Sequence, residues 1–394
     1  MRMIQAIASK SDAHRALLAN FLAGDTAPVK ISTTSLDIEA TRDCLLALRK
    51  GKKDLYPKES GSTFRFLLPV VAALGKSVCF HLEGRLPLRP LSPLYEALEA
   101  HGVTLSAQGT KEFCSSGALQ GGTFTLAGNV SSQFISGLLF ALPLLREDSH
   151  LHIVGTLESA GYVDMTLQTL RAFGIQIEKQ ENGFFIRGRQ VYHRAAPYIV
   201  EGDWSNAAYF LAAGAVLQDG LCVSGLSQDS AQGDKAILSC LLKFGASVTV
   251  AKDIVSVKAA PLQGITLDTA QIPDLVPILA LLAAFAVGET VLQNVGRLRL
   301  KESDRLKSIC AALSALGVQT SLENNNLHIY GTGTLHGGTV DSYGDHRIVM
   351  LAAIASLVTK EPVRILGATA VQKSYPNFFS DLAALQLRDN IERM

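Results

Sequence analysis

The phrase Leu-x-x-x-Gly, followed by β-forming residues, recurs at Leu98–Gly102, Leu170–Gly174, Leu241–Gly245 and Leu313–Gly317, its glycines about 72 residues apart. So regular a period means that one supersecondary unit is repeated along the chain. Each glycine closes a helical pattern where a left-handed cap costs least, and a strand such as Val103–Leu105 or Ile175–Ile177 follows. The repeat therefore contains helix, glycine and strand in that order.

A second phrase, a small-residue apolar helix followed by a polar or glycine break and a β-rich stretch, occurs six times. Its helices are Leu17–Ala23, Phe66–Leu74, Phe134–Leu145, Ala207–Leu217, Leu275–Val287 and Ile348–Val358, with breaks near Gly24, Gly75, Asp148, Gly220, Gly288 and Glu361. Helices so uniformly apolar must be surrounded by protein, whereas those between them, Leu94–Ala100 and Val163–Phe173, carry charge on one side. Buried helices inside sheets are expected, grouped three and three into two α/β lobes with a ligand between them. The count of units puts a crossover at Tyr198–Asp203.

A chain that is 48% hydrophobic and 18% charged can bury enough apolar surface to fold. Its 36 basic and 35 acidic residues leave a net charge of +1, with no global field for nucleic acid or an anionic membrane. Any anion site must be built locally. Leu275–Val287 is too short to span a bilayer and contains Pro277, and Met1–Lys10 lacks a signal-peptide apolar run, so a cytoplasmic location is expected. The six cysteines form no Cys-x-x-Cys pair and have no histidine at zinc-ligand spacing, so reduced packing residues are expected, without metal or disulfide.

The residues leading into the apolar helices suit phosphate or carboxylate. They read Ser9-Lys10-Ser11-Asp12-Ala13-His14-Arg15, Glu59-Ser60-Gly61-Ser62-Thr63-Phe64-Arg65, Ser131-Ser132-Gln133, Glu201-Gly202-Asp203-Trp204-Ser205-Asn206, Pro273-Asp274 and Asp345-His346-Arg347. Ser131, Asp203 and Ser205 are individually best read as helix caps. Capping does not explain Lys10, Arg15, Arg65 and Arg347, because a cation opposes the positive end of the helix dipole unless an anion joins it. His346 fits a proton shuttle beside these anion ligands as well as a structural imidazole. Lys301 and Arg305 are spaced to share a helical face beside Glu302, either as a salt-bridged surface helix or as a carboxylate proton carrier among cations. Competing templates fail: there is no Walker A segment, Gly331-x-Gly333 lacks a third glycine, and Ser62 and Ser132 lack a nucleophile elbow.

Eight collinear segments resemble those of the EPSP synthase family. They are Ser9–Ser11 with Arg15, Ser60–Arg65, Arg89-Pro90, Val130–Gln133, Val200–Asp203, Lys301–Arg305, Asp345–Arg347 and Lys373–Pro376. The resemblance covers nearly the whole chain. It implies an α/β fold of six βαβαββ units, three per lobe, with lobes 10–200 and 1–9 plus 201–394, crossovers near Lys10 and Glu201, and an active site in the cleft. The reaction implied is transfer of the enolpyruvyl group of phosphoenolpyruvate to the 5-hydroxyl of shikimate 3-phosphate, with release of phosphate, on the route to chorismate and aromatic amino acids. A monomer is implied, with no metal or organic cofactor and no nucleic-acid or membrane partner.

By matching positions, Lys10, Ser11, Arg15, Ser131, Ser132, Ser159, Tyr162, Asp274, Arg297 and Lys301 resemble shikimate 3-phosphate ligands. Lys10, Gly61, Arg89, Gln133, Arg305, Arg347 and Lys373 resemble the phosphoenolpyruvate side. The resemblance makes Asp274 and Glu302 the proton-transfer pair, with the acid and base roles open between them, and gives charge stabilisation to Lys10, His346 and Lys373. Glu59 and Arg297 stand where relatives commonly have Asn, and Glu59 is expected to pair with a nearby Arg or Lys. Two alternatives are a UDP-N-acetylglucosamine enolpyruvyl transferase, which would typically have Asn and Cys where this chain has Ser11 and Gly84, and a non-catalytic sugar-phosphate-binding protein, which would have lost Asp274, Glu302 or Lys373.

Overall fold

The computed structural model describes residues 1–385 and 391–394. The chain divides into two compact units, Lys10–Val200 and Met1–Ser9 with Glu201–Met394, each with its own apolar core. Among the described residues, each unit contains three of six sheets. In the Lys10–Val200 unit, Asp54–Lys58 leads through helix Gly61–Ala73 to the parallel strand Val78–Leu82. Helix Leu94–Glu99 follows, then the antiparallel strands Val103–Leu105 and Glu112–Gly117. This is a complete βαβαββ unit: the parallel pair needs a crossover helix, and the antiparallel pair closes locally. Three other sheets repeat its order, and one sheet in each unit is shortened, pairing Tyr198–Ile199 with Val29–Lys30 in one and aligning three parallel strands in the other. The six-unit α/β fold implied by the sequence is present.

Gly102, Gly174, Gly245 and Gly317 have φ of 89°, 80°, 103° and 83°, the left-handed conformation that a repeated helix cap requires. Six apolar helices form at Lys10–Leu22, Gly61–Ala73, Ser132–Ala141, Trp204–Val216, Val276–Phe285 and His346–Ala355. All six end one to four residues before the expected windows do. Pro143 turns the third into a 3-10 segment, and Val287 leaves the fifth to begin the strand Val287–Gln293. Gly288 therefore lies inside that strand, with φ of 99°. Among the described residues no helix is long and apolar enough to cross a membrane.

The expectation of six reduced cysteines is corrected: Cys79 and Cys114 are joined by a disulfide. Strand register causes this, placing the two directly opposite on Val78–Leu82 and Glu112–Gly117 although they are 35 residues apart in sequence. The remaining cysteines are free, with Cys44, Cys222 and Cys240 buried and Cys310 half-buried.

Candidate functional site

In the Lys10–Val200 unit, the polar helix starts are tied together by buried contacts. Lys10 opens its helix, and its Nζ lies 2.9 Å from Asp37 Oδ2. One turn later Arg15 is buried, with Nη1 donating to Ser11 O at 2.7 Å, Nη2 to Tyr162 O at 2.8 Å and Nε to Thr166 Oγ1 at 2.8 Å. Arg15 thus joins Ser11 to the helix Ala160–Ala172, which carries Tyr162 and is preceded by Ser159 at φ 57°. Burial lowers the Arg15 pKa to about 10, against the pull of Asp12.

A second cluster forms where helices Gly61–Ala73 and Ser132–Ala141 meet. A Cβ at Gly137 would lie 2.5 Å from Arg65 O, so only glycine permits this approach. The approach brings Arg65 Nη1 to 2.9 Å from Gln133 Oε1, while Gln133 Nε2 donates to Ser62 Oγ at 2.9 Å. Ser60 and Ser131 cap these two helices, accepting from the N–H groups of Thr63 and Gln133, and Ser132 is the first residue of its helix. A Cβ built on Gly61 would lie 2.8 Å from Nη1 of both Arg65 and Arg89, so two guanidinium groups crowd one helix N-terminus. Two cations beside a positive dipole end form an electrostatic concentration that an anion relieves.

Asp37 and Thr41 of this unit escaped the sequence reading, and His14 stood there within Ser9–Arg15 without a role of its own. The buried His14 Nδ1 is 2.7 Å from Thr41 Oγ1, which is 2.6 Å from Thr63 Oγ1, itself 2.6 Å from Ser60 Oγ. That chain fastens the Gly61 helix start to the Lys10 helix, and Asp37 fastens Lys10 itself. No motif marks Asp37 or Thr41; their relevance, and the partner of His14, come from packing of the helix Leu36–Arg49. Glu59 packs against Gly84, whose φ is 55° and where a Cβ would meet the Glu59 carboxyl group.

The other unit gathers its charges around Arg305, which is 1% exposed. Arg305 Nη1 donates to Asp274 Oδ1 at 2.8 Å, Nη2 to Glu302 Oε2 at 2.5 Å and Nε to Asp345 Oδ2 at 2.9 Å. Lys301 Nζ reaches the same Asp274 Oδ1 at 3.2 Å, and Arg347 Nη2 lies 3.8 Å from Asp274 Oδ2. Lys301 and Arg305 do not share a helical face. Arg297 sits on the 3-10 turn Gly296–Leu300, the following helix begins only at Arg305, and Asp304 caps it. The two cations nonetheless converge on one carboxylate. Asp345 caps the helix that starts at His346, accepting from Arg347 N at 2.9 Å, and His346 Nδ1 lies 3.8 Å from Asp345 Oδ1. Lys373 Nζ donates to Gly344 O at 2.8 Å, just ahead of the same helix.

Burial pulls the Arg305 pKa down, but Asp345, Glu302 and Asp274 together hold it well above the usual arginine range. Burial likewise opposes Arg347, whose pKa is raised mainly by Asp274, and lowers that of Lys301. Asp203 caps the helix Trp204–Val216 as expected. Ser205 does not cap: it lies inside that helix and its hydroxyl donates to the buried Asp234. Burial, reinforced by Asp274, pushes the Asp234 carboxyl up to about 6 while Arg347 and Ser205 oppose the shift. Asp234 was not singled out in the sequence, because Gln-Gly-Asp-Lys reads as a surface turn.

The profile of the EPSP synthase family, 3-phosphoshikimate 1-carboxyvinyltransferase, matches residues 50–382. The 3-phosphoshikimate 1-carboxyvinyltransferase of Clostridium kluyveri is 39% identical, the match covering 96% of this chain and 93% of the relative. That of Clostridium acetobutylicum is 40% identical over 96% of this chain and 93% of its own length. Among solved structures, EPSP synthase from Acinetobacter baumannii superposes with a TM-score of 0.79 at 23% identity, covering 97% of this chain and 95% of that one. The enolpyruvyl transferase NikO from Streptomyces tendae gives 0.73 at 18% identity, over 98% and 95%. At these identities the two structures speak for the fold.

Proposed function

We propose, from the premise that this chain belongs to the EPSP synthase family, that it transfers the enolpyruvyl group of phosphoenolpyruvate to the 5-hydroxyl of shikimate 3-phosphate and releases phosphate. The observation that carries the chemistry is the pair Asp274 and Glu302, held on the two Nη atoms of one buried guanidinium. Addition needs a proton taken from the sugar hydroxyl and a proton delivered to the methylene carbon of phosphoenolpyruvate. Elimination then removes a proton from the resulting methyl group, restoring the double bond as the C–O bond to phosphate breaks and phosphate leaves. Two carboxylates with fixed spacing can divide these transfers. In this reading Asp274 faces the sugar hydroxyls and Glu302 protonates carbon.

The remaining roles follow charge. Lys10, Ser11, Arg15, Ser131, Ser132, Ser159, Tyr162, Asp274, Arg297 and Lys301 serve shikimate 3-phosphate. Gly61, Arg89 and Gln133, with Arg305, Arg347 and Lys373, serve phosphoenolpyruvate, and Lys10 serves both. Arg65 belongs with Gly61 and Gln133, because it orders their cluster. Arg305 nitrogens already donate to three carboxylates, so its part is to orient Asp274 and Glu302 and to be partly released when an anion arrives. Lys10, His346 and Lys373 offset the charge that develops on the leaving phosphate. Cytoplasmic residence as a monomer belongs to the same reading.

The test is product formation. With phosphoenolpyruvate, shikimate 3-phosphate should gain an enolpyruvyl group by mass, and UDP-N-acetylglucosamine in its place should gain none. Transfer to the nucleotide sugar instead would overturn the proposal.

A further inference from the structure

Away from every residue discussed as a substrate ligand, one sheet face collects metal-ligating side chains. In the sheet built from Asp54–Lys58, Val78–Leu82, Glu112–Gly117 and Val103–Leu105, Cys79 lies opposite Cys114 and His81 opposite Glu112. Strand alternation puts these four on the outer face, while Val78, Phe80, Leu82, Phe113 and Ser115 are buried on the inner one. The ligand atoms of Cys79, Glu112 and Cys114 all lie within 4.8 Å of one another. Glu112 is exposed, the two cysteines are half-buried, and both border a cavity of about 380 Å³ also lined by Lys53, Thr104 and Ser106. Solvent and small solutes therefore reach the sulfurs. No Cys-x-x-Cys spacing announces the set, because strand pairing brings residue 79 to residues 112 and 114.

We propose that this face is a thiolate metal site which the Cys79–Cys114 disulfide closes. Reduction by a dithiol breaks the S–S bond: two electrons and two protons pass to the cysteines, and the reductant closes its own disulfide. Binding then releases the two thiol protons to solvent as two metal–sulfur bonds form, with the Glu112 carboxylate as third ligand and water in the fourth position. Two thiolates and one carboxylate select a borderline cation of the zinc class over magnesium or calcium. Metal–sulfur bonds of about 2.3 Å in a tetrahedral site set the sulfurs about 3.7 Å apart. Side-chain rotation at two facing strand positions supplies that separation without moving the strands.

The test uses the full chain and Co²⁺ as probe. Protein reduced with a dithiol, then freed of it without air, should bind one Co²⁺ per chain with a near-ultraviolet thiolate charge-transfer band. The disulfide form should show no band. Cys79→Ser and Cys114→Ser should each abolish it, and Zn²⁺ should displace the cobalt. Glu112→Gln changes only an exposed position and keeps both thiols, so it tests the site even if a cysteine variant folds poorly. It should weaken binding by at least about tenfold, since losing a ligand costs no less than losing an outer-shell partner. A reduced protein without the band, a band undiminished in the cysteine variants, or unchanged affinity in Glu112→Gln would each overturn the proposal. No substrate enters the assay, so its outcome is independent of the transferase reading.

Discussion

Replacing Gly61 with Ala tests the crowded helix start in the Lys10–Val200 unit. The added Cβ would sit 2.8 Å from Nη1 of both Arg65 and Arg89, so each guanidinium must retreat by roughly 0.7 Å to reach an optimal contact of about 3.5 Å. Arg65 has little room, being buried and donating to Gln133 Oε1 at 2.9 Å and Pro90 O at 3.2 Å. A hydrogen bond to a charged group contributes about 1.5–3 kcal/mol, and for a buried donor in the upper part of that range, about 2–3 kcal/mol, losing half of one costs about 1–1.5 kcal/mol. That is a five- to roughly tenfold loss of affinity for the anion placed there. Stability should hold, because Gly61 is the first residue of its helix with an ordinary φ, and Ala is the better helix former by about 1 kcal/mol. Steady-state kinetics should therefore show KM for phosphoenolpyruvate raised about five- to tenfold, KM for shikimate 3-phosphate nearly unchanged, and an unaltered urea midpoint. An unchanged KM for phosphoenolpyruvate would refute the reasoning, as would an equal loss for both substrates accompanied by a lower midpoint.

Asp234 supplies a pH test. Its carboxyl titrates near 6 when folded against 3.8 in the unfolded chain, mainly through burial. Between those values the folded state binds more protons, so this group's contribution to stability falls as pH rises, and the full cost, about 3 kcal/mol, applies above pH 6. Asp234→Asn should thus be as stable as the parent near pH 4 and more stable at pH 7 in urea titrations; a difference that does not grow across the window would contradict the shift. Thr41→Val leaves both His14 Nδ1 and Thr63 Oγ1 without the buried hydroxyl that joins them, so it should lower urea-unfolding stability by about 1–3 kcal/mol. Thr41→Ser should restore most of the loss, and an equally unstable Ser variant would show that volume decides instead. Lys10→Met should cut kcat at least about a hundredfold if Lys10 stabilises transition-state charge; a loss confined to KM would make it a binding residue only.

Much of the fold was legible because its signals are local and repeated. Each of the four Leu-x-x-x-Gly glycines reports its own positive φ, and helices as apolar as Val276–Phe285 can only be interior. Helix ends were less legible, since whether Val287 continues a helix or opens a strand depends on its pairing with Thr332. In the candidate site, cations at helix starts were visible as a conflict with the dipole. The helical face imagined for Lys301 and Arg305 was not real; tertiary convergence on Asp274 replaces it. The role of Asp234, the partner of His14 and the Cys79–Cys114 pairing were invisible for one reason: they are set by packing or strand register between residues distant in sequence.

The most direct test of the central claim is phosphate release on mixing the protein with phosphoenolpyruvate and shikimate 3-phosphate, omitting each in turn and running Glu302→Gln alongside. The account predicts release that requires both substrates, matches the product formed mole for mole, and is lost in the variant. Release from phosphoenolpyruvate alone, or full activity in Glu302→Gln, would contradict it.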